Sequence, residues 1–126
     1  MLLKPQDILV LLKLVTQGQQ SWSYASLAGQ LGMSASQLHA AVQRVLAARL
    51  AVRRGEGILP DIPNLLEFLV HGLRYVFIPE LGKMTRGMPT RYAAPPLLNA
   101  LSTEPGPVPV WPDPVGEVKG QSFTPL

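Results

Sequence analysis

The chain of 126 residues contains no cysteine. That excludes disulfides, thiolate nucleophiles and cysteine-bearing zinc sites, and it fits a reducing compartment. Histidine is almost as scarce: His39 and His71 are far apart in sequence, so no metal site is expected. No apolar run is long enough to span a bilayer. The stretch Ile8 to Val15 is preceded by Asp7, interrupted by Lys13 and followed by no cleavage signal, so it does not read as a signal peptide. Asp61, Glu67 and Glu80 offer no paired-carboxylate spacing, and no serine sits in a nucleophile elbow. Neither catalysis nor a cofactor is expected, and the reading is of a soluble cytoplasmic protein. No internal repeat is evident.

What is present is an apolar fraction of 47 %, enough for a core, and a mildly basic balance of +3. The charge is unevenly placed. Residues 1–60 carry six bases against two acids, a net +4, whereas residues 61–126 carry five bases against six acids, a net −1. A positive field on the first half permits a polyanionic partner there.

Helical periodicity organises that half. After Pro5, suited to a first helical turn, the residues Ile8, Leu11, Leu12 and Val15 recur at helical spacing until Gly18. Ser23 is placed to cap a second helix from about Tyr24 to Gln30, with Leu27, Ala28 and Leu31 inward and Gly32 as its left-handed stop. Ser34, with Gln37 three residues on, forms a capping-box pattern for a third helix. Leu38, Val42, Val45 and Leu46 make its buried stripe. Ala51 to Arg54, then Gly55-Glu56-Gly57 and Ile58-Leu59, read as a short hairpin ended by Pro60. Asp61 or Asn64 then caps a further helix through Leu65, Phe68, Leu69 and Leu73.

Residues 95–126 differ in character. Eight prolines (Pro95, Pro96, Pro105, Pro107, Pro109, Pro112, Pro114 and Pro125) argue against long regular elements, yet Val108, Val110, Trp111, Val115, Val118 and Phe123 are interspersed. The expectation is an extended tail lying on a surface of this chain or of a partner.

The run Leu27-Ala28, Leu31-Gly32-Met33-Ser34, Leu38, Val42, Leu46 and Leu50 resembles the MarR-like winged helix-turn-helix domains of bacterial transcription regulators, over about residues 5–60. The resemblance implies a mainly α fold, three helices plus a short hairpin wing, with an added helix and a proline-rich tail. It implies that the third helix enters a DNA major groove. Ser34, Ala35, Ser36, Gln37, His39, Ala40 and Gln43 then lie near DNA, with Gln37 or Gln43 placed to read adenine and Ser36 and His39 placed against bases or phosphates. Arg44 and Arg49 are expected as phosphate clamps, and Arg53 and Arg54 as a wing gripping the backbone or minor groove. Glu56 at the wing tip departs from that pattern, since phosphate repels it.

The expected domains are the DNA-binding domain at 1–60, a dimerisation or accessory segment at 61–94, and the tail at 95–126. Met84 to Tyr92, with Lys83, Arg86 and Arg91, matches no phosphate-loop pattern and reads as a surface turn, with Arg86, Arg91 and Trp111 as candidates for contacting a partner protein. The apolar excess of helix 1 and of the 64–73 helix leads to the expectation of a homodimer through helix 1, the 64–78 segment or the tail. The function so read is a sequence-specific double-stranded-DNA-binding regulator, a repressor of its own operon. The second reading is an antitoxin-like interaction module whose tail holds a partner protein.

Overall fold

A computed structural model describes residues 2–97 and 106–124. They fall into two compact units, Met1–Val76 and Phe77–Leu126. Pro105 and Pro125 lie outside the described residues.

In the first unit, α1 spans Pro5–Gln17, α2 Tyr24–Leu31 and α3 Ala35–Ala47. Each boundary has a local cause. Gly18 ends α1 at φ +60° and Gly32 ends α2 at φ +68°, a conformation that side chains with a Cβ adopt at a cost. The Ser23 hydroxyl accepts from the Ser26 N–H at 3.1 Å. Ser34 and Gln37 form a reciprocal capping box: the Ser34 hydroxyl accepts from the Gln37 N–H at 3.2 Å, and the Gln37 carbonyl accepts from the Ser34 N–H at 2.9 Å. Helix α3 packs on both α1 and α2. The shared core is Ile8, Val10, Leu11 and Leu14 with Leu27 and Ala28, and with Leu38, Ala41, Val42 and Val45. Burying each large aliphatic chain here contributes about 1.5–3 kcal/mol.

The strands β1 (Ala51–Arg54) and β2 (Gly57–Pro60) pair antiparallel with Arg54 opposite Gly57. Gly55 supplies the positive φ of +58° that this two-residue loop needs. Buried Ala51 and Ile58 anchor the hairpin, β1 against α3 and β2 against α1. Asp61, not Asn64, caps the next helix, accepting from the Asn64 N–H at 3.1 Å. The Asn64 side chain instead donates to the Arg49 carbonyl at 2.8 Å, tying the helix to the turn after α3. This rod begins as α4 (Ile62–Glu67), passes through a π-helical segment at Phe68–Gly72 and ends as α5 (Leu73–Val76).

The second unit overturns the expectation of a mainly α fold with an extended tail. The chain is mixed α/β, with 46 % helix and 25 % strand in two sheets among the described residues. Of the segment read as a surface turn, Met84 to Pro89 forms the second half of a ten-residue strand, β3 (Glu80–Pro89), and Arg91 and Tyr92 begin a 3-10 turn. Strands β4 (Pro109–Pro112) and β5 (Val118–Thr124), from the supposed tail, close on it as a small barrel. Strand β3 is antiparallel to both, while β4 and β5 run parallel.

The proline count misleads because the prolines take positions that a strand tolerates. Pro109 and Pro112 bound β4, and Pro89 ends β3. Val110 and Phe123 fill the small core. Three glycines let the backbones close: a Cβ on Gly87 would overlap the Trp111 carbonyl, one on Gly116 the Gly87 backbone, and one on Gly120 the Val108 carbonyl.

Candidate nucleic-acid interface

The outward surface of α3 presents Ser34, Ser36, Gln37, His39, Ala40 and Gln43, all exposed. They are not equally available. The capping box occupies the Gln37 carbonyl, and the Ser34 and Ser36 hydroxyls bond each other at 3.1 Å. Bidentate reading of adenine needs both the oxygen and the nitrogen of an amide. Gln37 is therefore committed to the helix start, and Gln43 is the amide on this face with no side-chain partner among the described residues.

His39 is also engaged. Its ring stacks on Tyr24 of α2 with centroids 3.6 Å apart and planes within 8°. Trp22 meets Tyr24 edge-on at 5.1 Å and 71°. A column of three rings thus runs from the α1–α2 loop to α3 and fixes the imidazole plane.

Arg44 is not a phosphate clamp. Its Nε and Nη2 each donate to one Asp7 oxygen at 2.8 Å, and Asp7 is wholly buried on α1. The Asp7 Oδ2 also accepts from the Lys4 N–H at 2.8 Å, closing the first turn of α1. The hydrogen bonds that the Arg44 guanidinium donates to Asp7 hold it above its already high ordinary pKa, so it stays charged inside the pair. This pair joins α1 to α3 and removes one base and one acid from the surface without changing the balance.

The available positive charge is elsewhere. Arg49, at φ +62°, forms the turn after α3, and Arg53 and Arg54 lie on β1. All three side chains are exposed, and none has an ion-pair partner among the described residues. Between the hairpin and the α1–α2 loop lies a cleft of about 690 Å³, with Trp22 and Tyr24 on one side and Arg53, Arg54 and Glu56 on the other.

In the second unit, Arg91 lies over the Phe123 ring at 4.9 Å, at φ +54°, and is part of that unit's own packing. Arg86 donates to the Gly116 carbonyl at 3.5 Å. Trp111, about half exposed, is the cross-strand partner of exposed Met88.

Sequence reasoning missed the Asp7–Arg44 pair and the roles of Trp22 and Tyr24. A signal existed for the first. Asp7 shares the buried stripe of α1 with Leu11 and Leu14, at i, i+4 and i+7, and a charge on such a stripe requires a buried partner. The partner is 37 residues away, beyond any local pattern. A comparison with protein-family models, curated proteins and solved structures finds no match to this chain.

Proposed function

We propose that the Met1–Val76 unit binds double-stranded DNA, with α3 in the major groove and the β1–β2 hairpin along the backbone. The protein then acts as a sequence-specific transcriptional regulator, a dimeric repressor of its own operon. The observation that carries this reading is the pairing of surfaces. The outward face of α3 is small and polar, slim enough to reach base edges, and Arg49, Arg53 and Arg54, with no ion-pair partner among the described residues, stand on the elements next to it. Gln43 is the base reader, and the arginines neutralise phosphates.

Gel shift on the protein's own upstream region tests the reading. Gln43→Ala is expected to relax discrimination at one base pair by about 1–3 kcal/mol, whereas Arg53→Ala weakens all sequences and lowers the salt slope by about 1. The absence of salt-dependent binding in the wild type would sink the proposal.

The dimer is assigned to the α4 rod. Ile62, Leu66 and Val70 form an apolar row at i, i+4 and i+8, each 51–59 % exposed. An antiparallel two-fold pairing centred on Leu66 sets Ile62 of each copy against Val70 of the other and Leu66 against Leu66, so the row is self-complementary. Leu66→Asp is expected to convert a dimer to a monomer in sedimentation velocity. A monomeric wild type at micromolar concentration would refute this assignment.

A further inference from the structure

The cleft between the α1–α2 loop and the hairpin has chemistry that reading a paired duplex does not require. Its volume, about 690 Å³, lies within the range of sites that enclose a small organic ligand. One wall is aromatic. Tyr24 has one face covered by His39 and meets Trp22 in a T. In either sense of that T, the contact leaves at least one face of the indole open. The opposite side is lined by Arg53 and Arg54, both exposed and with no ion-pair partner among the described residues. Gln20 and Glu56 add an amide and a carboxylate to the lining.

Each component selects for a property of the occupant. An indole face stacks a flat heteroaromatic ring. Planar guanidinium forks hold a phosphate through paired charged hydrogen bonds. A carboxylate repels a second phosphate but accepts from an amino group on a ring edge. A site that only followed duplex backbone would need the arginines alone, and Glu56 would weaken it.

We infer that this cleft is a mononucleotide pocket: a base, preferably one bearing an exocyclic amine, stacks on Trp22, and its phosphate sits on Arg53 and Arg54. The occupant is either a free nucleotide or a single unpaired nucleotide of bound DNA. The pocket shares the two arginines with the duplex-binding reading but does not depend on it.

The test uses the full chain carrying Trp111→Phe, which leaves Trp22 as its one tryptophan. Titration with AMP is expected to quench Trp22 fluorescence saturably, with adenosine and ribose 5-phosphate each at least about tenfold weaker, because stacking and phosphate contacts are both required. Arg53→Ala/Arg54→Ala changes exposed residues only, so it leaves the fold intact and should abolish the AMP response. A second arm compares a fully paired duplex with the same duplex carrying one unpaired adenosine. Tighter binding of the second by about tenfold, lost in Trp22→Leu, identifies DNA as the source of the nucleotide. Quenching by AMP with no such preference identifies a free nucleotide. If AMP fails to quench and the two duplexes bind alike, the pocket assignment is wrong, whatever the affinity for paired DNA. Failure to bind the paired duplex, with AMP still quenching, removes the duplex reading and keeps the pocket.

Discussion

Arg44→Met is expected to destabilise the Met1–Val76 unit by about 3–5 kcal/mol, the cost of leaving a buried charge without its partner. Asp7 is 0 % exposed, and Arg44 supplies both of its side-chain hydrogen bonds. Once Arg44 is gone, only the Lys4 N–H still donates to this carboxylate among the described residues. The double variant Asp7→Leu/Arg44→Met should recover most of the loss, because an apolar pair of similar volume has no charge to desolvate. Recovery will be incomplete by about 1 kcal/mol, since Asp7 also closes the first turn of α1. Urea unfolding of the three variants checks the whole cycle. A loss below about 1 kcal/mol in the single variant would mean that Asp7 finds water, and the pair would not be the link between α1 and α3 described above. DNA affinity measured well below the unfolding midpoint should be unchanged in Arg44→Met, which separates a structural arginine from a phosphate contact.

The second large effect is expected in the β unit. Gly120→Ala places a methyl group on the Val108 carbonyl and against a Val110 methyl, so backbone must move rather than a side chain. Overpacking of a fixed site costs about 1–3 kcal/mol, and a clash with main chain belongs at the top of that range or beyond. A core resting on Val110, Phe123 and Ala93 has little stability to spare. The variant should lose the near-ultraviolet dichroism of Trp111 and become sensitive to protease beyond Val76, while the helical unit stays resistant. Gly29→Ala is the control: nothing lies within 4 Å of its Cβ, and alanine in a helix stabilises by about 0.5–1 kcal/mol. Retention of the Trp111 signal in Gly120→Ala would show that β5 can stand further from Val108 than the fold requires.

These two sites also show what the sequence makes legible. The helix ends are readable because their causes are local: Ser23, Gly32 and the Ser34–Gln37 box act within four residues of themselves. The hairpin is readable because Gly55 sits between alternating partners. The fold class was not readable. Proline density in 95–126 argues against long regular elements, but what matters for a strand is where each proline falls, and Pro109 and Pro112 fall at the ends of β4. The roles of Gly87, Gly116 and Gly120 are not legible either, because close approach between distant strands leaves no periodic mark.

The candidate interface was legible by position and misread by role. Gln37 and Arg44 lie where a groove-facing residue is expected, yet one caps and the other is paired with buried Asp7. Trp22 and Tyr24 carried no pattern to announce them. Their significance comes from the hairpin and His39 lying beside them.

The π-helical segment at Phe68–Gly72 has a consequence for the rod as a whole. A π turn accommodates one residue more than an α turn, so everything after Gly72 is rotated relative to an uninterrupted helix. Removing a single residue between 68 and 72 is expected to let α4 run into α5 as one regular helix with Leu73–Val76 keeping their faces, whereas a deletion within α4 would turn those faces by about 100°. The seam is a place where the rod tolerates a change of length by one residue without a change of phase.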